Sequence, residues 1–232
     1  MSNQPPQHTI QPIPSYWLDG EFADWPWNKI EAISLVRAED GSEPKQATLV
    51  RLGYSEDALY IRFECKDRDV WWTMEQHNDA IYEEEVVEVF IEAGAIVPRG
   101  YYEFEVNPGG IAFWARIHNP NSDRSTIQAE MIDVDTCGLN WIVDIQEDEN
   151  RWVATIEIPW EEIAPAGELP QEWRANFYRI DRPSAPKDVT TVPGAELPIP
   201  PVTEDEYSAW SPTLVTPADY HQPARFGVLT LG

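Results

Sequence analysis

The sequence predicts an all-β chain folded as a β-sandwich. Three observations predict it. Short runs that alternate apolar and polar residues recur along the 232 residues. Clusters of turn-forming residues separate those runs. Helical periodicity is weak throughout, so the strands must bury their apolar faces against one another. A chain of this length can hold one substantial core, and all-β domains of this size are often single.

The elements follow in order. Residues 1–14 are polar and contain Pro5, Pro6, Pro12 and Pro14. They read as a loose tail, which makes 1–15 a flexible segment ahead of one domain over 16–232. Strands are expected over 47–54 and 58–66, joined at Ser55-Glu56-Asp57 as a hairpin. In the second, Leu59, Ile61, Phe63 and Cys65 point inward, while Tyr60, Arg62, Glu64 and Lys66 point outward. Further strands are expected over 86–92, 101–107, 111–117, 128–134, 140–146, 151–158, 173–180 and 226–231. Pro108-Gly109-Gly110 and Glu147-Asp148-Glu149-Asn150 supply two of the turns. Pro159 opens one short helical turn through Ile163. Residues 182–224 hold nine prolines and read as a long Pro-rich loop, functional or disordered, anchored at Trp210. Trp210 and Trp152 are expected in the core. In Trp71-Trp72 one ring is expected in the core and the other at a rim.

The most informative stretch is 81–92. Tyr82 precedes three acids in a row, and a strand follows with Val87, Val89 and Ile91 on one face and Glu88, Phe90 and Glu92 on the other. The strand over 101–107 repeats the pattern: Tyr102, Phe104 and Val106 oppose Tyr101, Glu103, Glu105 and Asn107. In one sheet, the two strands present a face of carboxylates, an amide and rings. Rings cover the C–H faces of a polyhydroxylated ligand, and carboxylates accept from its hydroxyls. An acidic, solvated outer face is the alternative.

Composition narrows the function. The net charge is −25 at pH 7 and the isoelectric point about 4.3. This acidic field repels nucleic acid and anionic membranes and admits neutral ligands and divalent cations. Eleven Trp and nine Tyr favour a ring-lined surface in addition to the core. No basic region precedes an apolar run at the N-terminus and no span is long enough to cross a bilayer. The expected location is therefore cytoplasmic for the chain as given, and secreted if a leader has been removed. Cys65 and Cys137 make no disulfide framework, and Cys65, on an inward phase, reads as a buried free thiol.

Several motifs together resemble the family 9 carbohydrate-binding modules and their stand-alone relatives. They are Leu18-Asp19-Gly20, Ala58-Leu59-Tyr60-Ile61, Glu85 to Ile91, Tyr102 to Asn107, Trp152, Glu157-Ile158-Pro159-Trp160, Ala175-Asn176-Phe177, Trp210-Ser211-Pro212 and Phe226-Gly227-Val228-Leu229. The likeness runs from about residue 16 to the C-terminus. It implies an immunoglobulin-like antiparallel β-sandwich. It also implies a sugar end clamped between two aromatic rings, one six residues ahead of a sugar-bonding Glu and one shortly before the closing Phe-Gly. Those positions hold Tyr82, Glu88 and Tyr220 here. Both clamp positions stay aromatic without being Trp, and Tyr stacks less extensively on sugar. Glu105 stands where the family has a sugar-bonding Arg, while Asn107 and Asn176 stand where an amide is usual. The resemblance further implies structural calcium, with no ligand set that can be named. Asp67, Asp69, Asp79 and Glu83 to Glu85 supply the ligand types.

The expected function is non-catalytic carbohydrate binding in the service of carbohydrate breakdown, with Tyr82, Glu88, Glu105, Asn107, Asn176 and Tyr220 as ligand-binding residues. Two alternatives stay open. One is a glycoside hydrolase using Glu88, Glu103 and Glu105. The other is a haem-binding or protein-interaction sandwich, for which His118, Met74 and Met131 are the axial candidates. The histidines have no zinc spacing, and His77 reads as an ordinary loop residue beside the clamp.

Overall fold

Alternation decides where each strand lies. In the segment Ala58–Lys66, the odd residues Leu59, Ile61, Phe63 and Cys65 all enter the central core. In Val86–Ala93 the core takes Val87, Val89 and Ile91. The computed structural model describes residues 4–164, 169–183 and 204–232. Its strands are β1 (Gln7–Pro12), β2 (Ala32–Ser34), β3 (Val36–Arg37), β4 (Thr48–Tyr54), β5 (Ala58–Lys66), β6 (Val86–Ala93), β7 (Gly100–Val106), β8 (Ala112–His118), β9 (Gln128–Met131), β10 (Asn140–Gln146), β11 (Arg151–Pro159), β12 (Glu172–Asp181), β13 (Glu206–Ala209) and β14 (Gly227–Leu231). The short helix α1 is Trp160–Ile163, entered through Pro159 as expected.

One layer of the sandwich runs β10–β11–β5–β4, with β2 beside β4. The other runs β14–β12–β6–β7–β8–β9, with β13 and β3 beyond β12. β1 joins the layers: Gln7 to Ile10 lie parallel to β14, and Gln11 and Pro12 lie parallel to β4. Among the described residues every other pairing is antiparallel. The loose-tail reading therefore fails for residues 7–12. Proline lacks a ladder donor, but an edge-to-edge connector with Ile10 buried tolerates Pro12 at its end. β2, β3 and β13 are too short to leave a periodic signal. Residues 184–203 of the Pro-rich stretch lie outside the described residues. Next to them β13 forms, and Trp210 is in the core as expected. The run over 128–134 pairs only as far as Met131.

Both layers also carry apolar material on their outer faces. Behind β5, Tyr60 packs with Trp17, Phe22, Trp25 and Trp27 of the N-terminal turns, so a residue with an outward phase is buried. Behind β6, β7 and β12, the rings of Phe90, Tyr101 and Tyr178 pack with Tyr220 and Phe226. The second cover turns the polar face of β6 and β7 from a surface into a lined cavity.

Several motif residues form one structural knot under that cover. A Cβ on Gly227 would lie 2.3 Å from the Trp210 ring, so only glycine fits there. Trp210 also packs on Phe177. Asn176 holds Ser211 by accepting from its N–H and donating to its carbonyl, both at 2.9 Å.

Candidate functional site

Glu88 and Phe90 leave one face of β6, and Glu103 and Glu105 leave the adjoining face of β7. In the ladder Glu88 faces Glu105 and Phe90 faces Glu103. On the other side of β6, Tyr178 faces Glu88. Glu88, Phe90 and Glu103 line a cavity of about 740 Å³ together with Tyr82, Phe113, Tyr207 and Tyr220. Arg124 and Asp219 also line it and form an ion pair of 3.0 Å. His221 is a further lining residue, sharing a hydrogen bond of 2.7 Å with the Tyr101 hydroxyl through Nδ1. Burial pushes the His221 imidazole down to about 4, so the ring is neutral.

Glu88, Glu103 and Glu105 each bring an oxygen within 4.8 Å of the others. All three are buried, and neither Glu105 oxygen accepts from an N–H or hydroxyl of the described residues. Burial raises Glu103 to about 7. It raises Glu88 and Glu105 well above the usual carboxylate range, and the neighbouring acids add to the shift. At neutral pH the cluster therefore holds protons, and Glu103 and Glu105 lie close enough to share one. The solvated outer face that the alternation left open is thus a buried one.

The expected ligand residues divide into three groups. Tyr82, in the turn Ile81–Glu83, is 43% exposed and stands edge-on to Phe113, with centroids 5.8 Å apart. It and Tyr220 line the same cavity, although they stand 138 positions apart in the chain (220 − 82 = 138). Tyr220 is only 7% exposed: its ring stacks on Tyr178 at 4.0 Å, and its hydroxyl donates to the Arg179 carbonyl. Tyr220 thus offers the cavity less ring than a clamp with two open faces requires. Glu88 lines the cavity, while Glu105 lies behind it. The fold engages Asn176 through both ends of its amide and Asn107 through its oxygen alone, the Asn107 Nδ2 being buried without a partner. Asn107 Oδ1 accepts from Ile111 N–H at 2.9 Å across the β7–β8 turn. Asn176 bonds Tyr178 Oη, Phe177 N–H and Ser211, which engages both ends of its amide.

Glu103, singled out with its strand, belongs in the lining set, and its place on the face of Glu105 could have put it there. Phe113 follows from the alternation of its strand. Arg124, Tyr207 and His221 arrive from remote segments that carry no periodic signal. His77 accepts from Ala112 N–H at 3.0 Å and stands edge-on to Trp141, which makes it a structural loop residue. His118 and Met131 are exposed and, like Met74, do not line the cavity. Trp71 is buried and Trp72 half-buried over Gly109. Cys65 is a buried free thiol, raised by burial to about 12.

A second buried cluster closes one end of the central core. Asp67, Glu85 and Asp181 bring oxygens within 4.8 Å of one another. Arg179, on the inward phase of β12 after Phe177, reaches Asp67 at 2.7 Å and Asp181 at 3.3 Å. It also donates to the Lys66 carbonyl at 2.7 Å. Both Glu85 oxygens and Asp181 Oδ1 are without partners. Of the other expected cation ligands, Glu84 is engaged by Thr73 and by Met74 N–H, and Asp79 by Gln76 N–H.

The sequence profile of carbohydrate-binding family 9 matches residues 24–189. The chain belongs to carbohydrate-binding family 9. This family 9 chain is 28% identical over 163 residues to an extracellular protein of Arthroderma benhamiae, which covers 66% of it and 71% of the relative. Its fold is similar to a solved structure from Bacteroides uniformis, of a protein described as a candidate carbohydrate binder. That match has a TM-score of 0.70 and 18% identity, and covers 98% of this chain and 99% of the other. It is also similar to a family 9 module of Caldicellulosiruptor kristjanssonii solved with glucose, with a TM-score of 0.56 and 14% identity over 97% and 95% of the two chains. The same module solved with cellotriose gives a TM-score of 0.55 and 12% identity over 97% and 93%. These likenesses establish the β-sandwich fold of this family 9 chain, and the expected antiparallel order is corrected at β1, which pairs in parallel with β14 and β4 because it bridges the two layers. Among its described residues, no helix is long and apolar enough to cross a membrane.

Proposed function

We propose that the protein binds the end of a mono- or oligosaccharide in the cavity beside β6 and β7 and does not act on it, serving carbohydrate breakdown by a separate enzyme. One observation carries the reading. A cavity of sugar-binding size in a family 9 chain is lined by the five rings of Tyr82, Phe90, Phe113, Tyr207 and Tyr220 and by Glu88 and Glu103. Tyr82 supplies an exposed ring for C–H stacking, and the two carboxyl groups supply hydroxyl partners. The three clustered acids do not suit hydrolysis. The two carboxyl groups of a glycosidase flank the scissile bond, about 5–5.5 Å apart for retention and about 6.5–9.5 Å for inversion. Here three acids converge within 4.8 Å on one face and hold protons, which favours binding over hydrolysis. Calorimetry against a panel of sugars tests the binding. Chromogenic glycosides test for catalysis, and turnover abolished by Glu88→Gln would replace this reading with hydrolysis.

Structural calcium is part of the proposal, at Asp67, Glu85 and Asp181. The donors are hard oxygens, and Glu85 and Asp181 Oδ1 lack partners. Burial raises Glu85 well above the usual carboxylate range and Asp181 to about 7, and a divalent ion would let both ionise beside Arg179. Such an ion would supply no chemistry beyond charge compensation and cross-linking of β6, β12 and the loop after β5. Added calcium should raise the melting temperature if it binds the native state alone, and no shift at millimolar calcium removes the ion from the proposal.

A further inference from the structure

Glu88, Glu103 and Glu105 are buried together, none forms an ion pair among the described residues, and they hold protons in place of a cation. Charge buried without a counter-ion is costly. Arg124 is the cation lining the cavity nearest to them in electrostatic effect, but its guanidinium is tied to Asp219, and the side chain is 67% exposed. Arg182 is tied to Asp205. Glu105 is a second, separate sign. It lies behind the cavity, fully buried, with neither oxygen accepting from an N–H or hydroxyl of the described residues and one oxygen within 4.8 Å of those of Glu88 and Glu103. Rings of Tyr82, Phe113 and Tyr207 line the same space.

Carboxylates backed by aromatic walls recognise an organic cation. An ammonium group donates three hydrogen bonds, brings the positive charge that lets clustered carboxyl groups ionise, and is attracted to ring faces. A neutral hydroxyl supplies the bonds without the charge. A bare divalent ion would leave the rings of Tyr82, Phe113 and Tyr207 unused.

We propose that the ligand of this cavity is a sugar with a free amine, its ammonium seated on Glu88 and Glu103 with Glu105 behind them. The inference rests on the carbohydrate reading above and specifies its ligand class.

Three probes share the pyranose ring: glucosamine, N-acetylglucosamine and glucose. Calorimetry with the full-length protein at neutral pH, in buffer containing a chelator, should give glucosamine an affinity at least about tenfold above the other two, as expected for a charge-assisted hydrogen bond. Glu105→Gln, which keeps the shape of the side chain, should reduce that preference several-fold. Equal affinities for glucosamine and glucose overturn the amine inference and leave carbohydrate binding standing. No binding of any probe or of their oligomers overturns the carbohydrate reading, and the inference with it. A preference unchanged in Glu105→Gln overturns the role of the cluster. Calcium binding that Glu105→Gln abolishes and Asp67→Asn does not would make the cluster a metal site and also overturn the proposal.

Discussion

Glu88 and Glu105 are register partners on adjacent strands, both buried, with their carboxyl oxygens within 4.8 Å of each other. Acids directly opposite on one face of a sheet destabilise the pair when ionised. Their protonation is therefore coupled to the stability of the whole layer.

Stability should fall as pH rises through the neutral range. In the fold Glu103 has a pKa of about 7, against 4.5 when unburied. Between those values the folded chain holds a proton that the unfolded chain has lost, so stability is full below 4.5 and is lost as pH rises through about 7. The loss is on the order of 3 kcal/mol for a shift of this size. Urea denaturation at a series of pH values checks it, and Glu103→Gln should flatten the profile.

Glu105→Gln should stabilise the protein at neutral pH. The amide keeps the shape, carries no charge and can donate to Glu88 or Glu103. The expected gain is about 1–3 kcal/mol, the cost of an unsatisfied buried polar group. A lower midpoint of unfolding for the mutant would mean that a partner of the carboxylate has been overlooked.

The two tyrosines should separate binding from folding. Tyr82→Ala removes an exposed ring, so sugar affinity should fall while stability stays within about 0.5 kcal/mol. Tyr220→Phe removes the bond to the Arg179 carbonyl and should lower stability by about 1 kcal/mol with a smaller effect on affinity. Paired calorimetry and thermal denaturation of both variants decide the matter.

Arg179→Met should be among the most damaging single changes. It leaves Asp67 and Asp181 buried opposite an apolar chain, a loss of about 3–5 kcal/mol. Replacing Asp67, Arg179 and Asp181 together by apolar residues should recover much of it. Chemical denaturation of the single and triple variants gives the comparison.

Gly227→Ala and Asn176→Ala should lower stability rather than affinity. The first forces a Cβ into the Trp210 ring and should cost about 1–3 kcal/mol. The second strands the Ser211 backbone groups and the Tyr178 hydroxyl, a loss of similar size. Soluble, well-folded variants with wild-type melting and weakened sugar binding would return Asn176 to the site.

Alternation along the chain was enough to assign each side chain to a face. It put Val87, Val89 and Ile91 on the opposite side from Glu88 and Phe90, and Phe104 and Val106 opposite Glu103 and Glu105, because a strand has a period of two wherever it lies. The strands over 47–54, 58–66, 140–146 and 151–158 were legible for the same reason. So was the helical turn after Pro159. What lies against a face is a different matter, since it depends on segments far away in the chain. Tyr60 is buried because turns forty residues earlier fold over it. Glu88 and Glu105 are buried because Tyr220 and Phe226 return beside Tyr178. Residues 7–12, polar and carrying Pro12, become a strand because β14 and β4 offer them ladder partners. The choice between a ligand residue and a structural one was equally tertiary. Asn176 and Tyr220 have the chemistry to bind sugar, but the hydrogen bonds that reach them first come from Ser211, Tyr178 and Arg179.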